Sequence, residues 1–177
     1  MARNRTRPNF PNTNPHTPKG GGAGSCQNLR SARTGYAASP TDTGQFYLST
    51  LLEHTMFEAE AVCLVLGAYL LSKESQVSSA TISTDSQTAL SSLDIHKPRP
   101  GQQYMDEFLC LTGLIWHQAT QDDYHLALTW VKGHNRVDGN ARANEVARDA
   151  AKGSSSPEME LPESLHAGPL PTSVAAL

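Results

Sequence analysis

The stretch "ATISTDSQTALSSL", residues 80–93, predicts a β-branched strand that ends at an acid and is followed directly by a short helix. Ile82 is the clearest apolar residue of the strand. Asp85 stands at its carboxyl end, where open α/β sheets bind their ligands. An Asp at this position could equally be the N-cap of the following helix. The residue types alone therefore leave both interpretations of Asp85 open.

The segments on either side predict an alternation of strands and helices. Helices are indicated by apolar residues at three- and four-residue steps, and strands by short alternating or β-branched runs between turn residues. The predicted strands lie at 34–39, 44–50, 80–85 and 124–132, and the predicted helices at 54–72, 86–93, 103–119 and 140–152. This order predicts an α/β layer fold.

Composition divides the 177-residue chain into a core and two ends. Residues 1–32 are rich in Asn, Pro, Gly and Arg, and we expect a disordered basic arm because so few apolar side chains cannot offset the entropy of ordering. The folded domain is expected at 33–153, and a flexible tail at 154–177. The basic arm could bind nucleic acid, act as a nuclear address or simply be a soluble tail, whereas the acidic body lacks the charge of a passive nucleic-acid binder.

The cysteines and the apolar runs indicate in which cellular compartment the protein is expected. Cys63 and Cys110 fall in apolar helical stretches and are predicted to be buried free thiols of a reducing compartment. The N-terminus lacks an apolar signal-peptide core. The longest apolar run, residues 61–71, is too short to cross a bilayer. We therefore expect no membrane association and an intracellular location, in the nucleus or the cytoplasm.

A glutamate of the first helix is the second candidate for chemistry. Glu60 lies three residues after Phe57 and four before Leu64, so it should project from the apolar face, whereas Glu58 should point away. A carboxylate on such a face costs free energy unless it is paired or binds a cation. The alternative is a glutamate at the helix edge that reaches solvent.

The stretch "WVKGHNRVDGNARANEVARDAAKG", residues 130–153, supplies two further candidates. His134 lies in a glycine-containing loop just after the best predicted strand, where it could carry a proton or be an ordinary surface histidine. Asn144 lies in the last predicted helix, at a position where a carboxylate would be more useful to a cation.

Taken in order, the helix glutamate, the strand-end aspartate and the final strand–loop–helix segment resemble the ribonuclease H family over about residues 44–153. The closest resemblance is to the domain carried by fungal non-LTR retrotransposons, where it accompanies a reverse transcriptase. The resemblance implies a ribonuclease H-like mixed sheet flanked by helices. It also implies cleavage of the RNA strand of RNA–DNA hybrids, with the hybrid or another nucleic acid as partner.

The resemblance further implies two divalent cations, Mg²⁺ or Mn²⁺, held by four carboxylates. Glu60, Asp85 and Asn144 match ligand positions of the family. His134 matches its loop histidine, which is implied to move protons or release product, and Gln87 matches a position near the substrate.

The chain departs from the family pattern at two ligands. The family's first aspartate, on the opening strand, has its nearest counterpart in "GGGAGSC", where Ala23 precedes Gly24. Another alignment puts "GGAGSCQNL" in the second strand and removes the first strand altogether. The fourth carboxylate falls on Asn144, whose amide supplies no charge. The opening central strand is thus expected to be missing or degenerate, and two of four carboxylates to be lost.

These losses leave three functions to compare. One is a ribonuclease H with impaired activity, and another is an inactive nucleic-acid-binding remnant of a retrotransposon. The third is a protein-interaction remnant with no role at nucleic acid.

Overall fold

The computed structural model of the chain describes residues 22–24, 33–38, 43–49, 53–74, 79–93, 98–119, 125–132, 145–146 and 148–166, with only the backbone described at 22–24, 33–38 and 49. Helical backbone is present at 145–146 and 148–150, within the helix predicted at 140–152. Its predicted start at Asn140, and the predictions for His134 and Asn144, lie outside the described residues.

Eight helices and strands of the described residues form the domain. The strands are β1 (Gly22–Gly24), β2 (Arg33–Ala38), β3 (Thr43–Ser49), β4 (Ser79–Thr84) and β5 (His125–Trp130), and the helices are α1 (Met56–Lys73), α2 (Gln87–Ser91) and α3 (Gln102–Gln118). Two single-turn 3₁₀ helices follow at Glu158–Glu160 and Glu163–Leu165. The strands and helices predicted between residues 34 and 132 are therefore confirmed, each to within a few residues at its ends.

The five strands form one mixed sheet in the order β3-β2-β1-β4-β5. The β2 strand is antiparallel to β1 and to β3, whereas β4 is parallel to both of its neighbours. Along β4 and β5 the register runs from Ser79 opposite His125 to Thr84 opposite Trp130. The mixed α/β architecture predicted from the sequence is confirmed.

The opening strand is present and central, but it is only three residues long. Ala23 lies opposite Ser83 and Gly24 opposite Thr84 in the parallel pair with β4. The alignment that removed the first strand is therefore wrong, and the expectation of a degenerate strand is right. Three small residues give no apolar alternation in the sequence, so the backbone pairing with β2 and β4 is what defines this strand.

Helix α1 lies against the sheet and supports most of the core. It packs on β2 and on α3, and its buried side chains extend around much of its circumference. The core consists mainly of apolar side chains from α1, α3, β4 and β5, including Val62, Leu64, Val65, Leu66, Ile82, Met105, Phe108, Leu126 and Leu128. Among the described residues, no helix is long and apolar enough to cross a membrane.

Glu58 fixes the start of α1 and is buried, contrary to the expectation that it points away from the apolar environment. Its Oε2 accepts hydrogen bonds from Thr55 N at 2.6 Å and Thr55 Oγ1 at 2.9 Å, while Thr55 Oγ1 accepts one from Glu58 N at 3.3 Å. His54 Nδ1 lies 3.3 Å from Glu58 Oε1. This reciprocal capping box turns the carboxylate back onto its own helix end, so it can be buried with its oxygens satisfied.

The N-terminus of α3 packs tightly against this cap. Gly101 has a φ of +80°, and a Cβ there would lie 2.8 Å from Glu58 Cγ. The Arg99 guanidinium lies 4.4 Å from the centre of the Phe57 ring. Burial raises the pKa of Tyr104, the Gln103 side chain opposes that rise, and the nearby Glu58 adds to it. Close contact between α1 and α3 thus depends on a residue without a side chain.

Residues 154–166, which we call the C-terminal strap, follow the outer edge of β3. Ser156 N donates to Gln45 O at 2.9 Å, and Gln45 N donates to Ser156 Oγ at 3.1 Å. Tyr47 N donates to Ser155 Oγ at 2.9 Å. Unpaired groups of an edge strand are open to association with other chains, and the strap satisfies three of them here.

Beyond these serines the strap enters the core. Leu161 and Leu165 are buried, and Ser164 Oγ donates to Glu107 Oε1 of α3 at 2.5 Å. The expectation of a flexible tail from residue 154 therefore does not describe residues 154–166. Leu161 and Leu165 form no regular apolar pattern in the sequence. Because the serines anchor the chain along β3, both leucines reach the same core.

Both described cysteines depart from the expectation of buried free thiols. Cys63 is buried on α1 but is disulfide-bonded. Cys110 is a free thiol but is exposed. It follows the buried Phe108 by two residues, and two residues rotate about 200° around a helix, so the thiol faces away from the core.

The strap should contribute measurably to stability. We expect Leu165→Ala to lower the free energy of unfolding by about 2–5 kcal/mol, because it removes a buried side chain from the core. Met159→Ala, in the same strap but 84% exposed, should change it by less than about 0.5 kcal/mol. Urea unfolding followed by circular dichroism measures both variants. Equal effects of the two would contradict the described packing of the strap.

Gly101, the N-cap residue of α3, and Gly113, inside that helix, should respond in opposite directions to the same substitution. Gly101→Ala should destabilise by more than about 1 kcal/mol, because alanine is unfavourable at positive φ and its Cβ would collide with Glu58. Gly113→Ala should stabilise by about 0.5–1 kcal/mol, because Gly113 is inside the helix and a Cβ there meets nothing within 4 Å. Thermal unfolding of the two variants decides this, and a shift of the same sign in both would refute the proposed cause.

Candidate active site

A single hydrogen bond brings the two predicted carboxylates into one region. Ser86 Oγ donates to Glu60 Oε2 at 2.5 Å. Ser86 is the residue directly after Asp85, and Glu60 lies in the first turns of α1. Glu60 and Asp85 are both partly exposed. The helix glutamate and the strand-end aspartate, 25 residues apart in the chain, therefore lie at the same edge of the sheet.

The last strand fixes the turn that carries Asp85. Trp130 Nε1 donates to the carbonyl oxygen of Asp85 at 3.1 Å. Val131 N donates to Thr84 O at 2.9 Å, which continues the parallel pairing by one residue. The backbone of Asp85 is therefore held by β5, and its side chain is attached to a fixed point at the carboxyl end of β4. This is the edge at which α/β sheets bind ligands.

The end of β1 lies at the same edge but offers no acid. Gly24 pairs with Thr84, the residue before Asp85, and Ala23 precedes it. Ala23 is the position at which the sequence resemblance implies an aspartate. An alanine has no oxygen in its side chain, so β1 adds no side-chain ligand at this position.

The other predicted site residues are only partly covered by the described structure. Gln87 is the first residue of α2 and is exposed, next to Ser86. His134 and Asn144 lie outside the described residues, and their roles stay predictions. Glu145, which follows Asn144, is helical and exposed.

Ser86 itself was missed in the sequence, although a signal for part of its role was present. The sequence left Asp85 as the possible N-cap of α2, whereas Ser86 is the cap and accepts from Ala89 N at 3.0 Å. A serine three residues before the capped amide is a common helix start. No local pattern could have shown its contact with Glu60, because the two residues are on different elements.

The ligands that the described residues offer fit one small divalent cation better than two. In the part of the chain that the structure describes, no three His, Cys, Asp or Glu side chains converge on a common point. Glu60 and Asp85 together offer two carboxylates. Mg²⁺ is often held by one or two carboxylates, with water and substrate phosphate completing its octahedron. The pair could hold one such cation, with waters in the positions that a substrate phosphate would later take.

Comparison with known proteins identifies the family of this chain. The family model for RNase H matches residues 22–152, which is most of the chain and includes β1. A crystal structure of RNase H1 from the halophilic archaeon Halobacterium salinarum NRC-1 is similar at 12% sequence identity and a TM-score of 0.49, covering 76% of this chain and 98% of that one. At that score it adds no argument of its own. A search of curated proteins found no significant match. On the family match, the chain belongs to the ribonuclease H family.

Proposed function

We propose that this domain binds RNA–DNA hybrids and cleaves their RNA strand by phosphodiester hydrolysis dependent on Mg²⁺ or Mn²⁺, at an impaired rate. The observation that carries the proposal is the hydrogen bond from Ser86 Oγ to Glu60 Oε2, which brings the Glu60 carboxylate beside Asp85. Membership of the ribonuclease H family supplies the reaction class and the hybrid substrate.

Glu60 and Asp85 would hold the cation. A divalent cation bound there would polarise the phosphate and lower the pKa of a bound water. The chain's contribution is to present two anionic oxygen donors from a helix and a strand end that other contacts hold in place. Ala23 adds no ligand and Asn144 adds no charge, so the site has half of the anionic charge that the family pattern implies. Impaired activity follows from that reduced charge.

Gln87 and His134 would act on the nucleic acid. Gln87 is exposed at the start of α2, beside the proposed cation ligands, where its amide could hydrogen-bond a sugar or base edge. Proteins distinguish RNA from DNA through the 2′-hydroxyl and through groove shape. His134, by its match to the family's loop histidine, would move a proton or help release product.

A second candidate is an inactive module that binds hybrids without cutting them, as a remnant of a retrotransposon. Ala23 favours this candidate, because β1 is in place while its expected ligand is absent. The resemblance of residues 44–153 to the domains of fungal non-LTR elements supports the retrotransposon origin.

A cleavage assay separates the two candidates. With a labelled RNA–DNA hybrid and Mg²⁺ or Mn²⁺, we expect slow cleavage of the RNA strand by the full chain. Glu60→Gln and Asp85→Asn should each reduce the rate by more than about a hundredfold. Loss of a residue that only hydrogen-bonds a metal ligand typically costs about ten- to a hundredfold, and loss of the ligand itself should cost more. Glu74→Gln, exposed at the other end of α1, should retain the wild-type rate.

Binding of the hybrid without any cleavage would favour the inactive module. Cleavage that persists in both Glu60→Gln and Asp85→Asn would show that the activity arises elsewhere.

Restoring the lost acids tests the cause of impairment. We expect Ala23→Asp to raise hybrid cleavage by about ten- to a hundredfold, because it adds a carboxylate on the central strand beside β4. Asn144→Asp alone should leave the rate low, since β1 would still lack its ligand. Single-turnover cleavage of the same hybrid measures both variants. Full rescue by Asn144→Asp alone would contradict the assignment of Ala23.

A further inference from the structure

The Ser86 hydroxyl takes part in two hydrogen bonds at once. Its Oγ lies 2.5 Å from Glu60 Oε2 and 3.0 Å from Ala89 N. The backbone holds the residue as well, since Ser86 N donates to Thr84 Oγ1 at 3.1 Å. Ser86 is buried, so water competes little for these contacts.

The chemistry of the partners fixes the direction of both bonds. The amide nitrogen of Ala89 can only donate, so Ser86 Oγ accepts there. A serine hydroxyl has one proton, and that proton is then left for Glu60. Capping α2 therefore orients the hydroxyl as a donor towards the carboxylate. A hydrogen bond to a charged acceptor is among the stronger ones in proteins.

Asp85 and Ser86 are held from both sides of the sheet edge. Trp130 of β5 binds the Asp85 carbonyl, and Glu60 of α1 accepts from Ser86. A glutamate side chain has three rotatable bonds and loses much conformational freedom when it is fixed. The Ser86 hydroxyl fixes the Glu60 side chain before a cation binds. Less conformational entropy is then lost on binding, because the carboxylate is already in place.

We propose that Ser86 is a positioning residue: its hydroxyl holds the Glu60 carboxylate at the end of β4, so that Glu60 and Asp85 are presented together to one divalent cation. This role rests on the proposed function and deepens it. Ser86 itself is not a ligand, because its proton is used on Glu60 and its oxygen accepts from the helix.

Four variants of the full chain separate positioning from capping. Ser86→Ala removes both the cap and the donor. Ser86→Gly also removes the donor but costs the helix only a few tenths of a kcal/mol as a cap. Ser86→Thr keeps a hydroxyl in both roles. Ser92→Ala is the matched control, because Ser92 is a buried serine at the other end of α2 whose Oγ donates to Ala89 O at 2.6 Å.

Two measurements are made on each variant. Three-bond NMR couplings across χ1 of Glu60, without metal, report how far that side chain occupies one rotamer. Isothermal titration with Mn²⁺ alone reports cation affinity. We expect averaged couplings and about tenfold weaker Mn²⁺ binding in Ser86→Ala and Ser86→Gly, as for loss of a hydrogen bond to a charged group. Ser86→Thr and Ser92→Ala should stay within about twofold of the wild type.

The outcomes distinguish this proposal from the function on which it rests. Wild-type couplings and affinity in both Ser86→Ala and Ser86→Gly would overturn the role of Ser86 and leave the cation site standing. Mn²⁺ binding that is weakened to the same extent in Ser92→Ala would assign the effect to the stability of α2. That result would also overturn the role of Ser86. A wild-type chain that binds no Mn²⁺ at the Glu60 and Asp85 pair would overturn both proposals.

Discussion

Parallel pairing of β4 with both of its neighbours determines where every part of the site can lie. Because β1 and β5 run in the same direction as β4, the carboxyl ends of three strands meet at one edge of the sheet. Asp85 follows β4 at that edge, and Trp130 ends β5 beside it. An antiparallel neighbour would bring an amino end there instead. The position of the candidate site is thus a property of the backbone before any side chain is considered.

Helix α1 must then be held at a fixed position along the strands, since it brings Glu60 to that edge. The Thr55–Glu58 capping box defines where the helix begins, and close packing of Gly101 brings α3 against it. On the far side, the C-terminal strap joins the edge of β3 to α3 through Ser164 and Glu107. The strap lies beyond residue 152, where the match to the family model ends.

The sequence predicted the elements better than the contacts between them. Asp85 and Glu60 could be singled out as candidates because a strand end and an apolar helix face are local patterns. The burial of Glu58 could also have been found, because Thr-x-x-Glu before an apolar run is the signature of a capping box. The three-residue β1 has no apolar alternation, and the serines of the strap bind a strand more than a hundred residues earlier. Those features depend on pairing across the fold, which no local pattern records.

The central claim is that Glu60 and Asp85 form one cation site at this sheet edge, and Mn²⁺ titration of the ¹⁵N-labelled chain tests it most directly. Paramagnetic broadening falls steeply with distance from the ion, so it locates the bound cation. We expect the amide signals of Glu60, Asp85 and Ser86 to broaden first, at substoichiometric Mn²⁺. Broadening that begins instead at the exposed acids of the strap, such as Glu158 and Glu160, would contradict it.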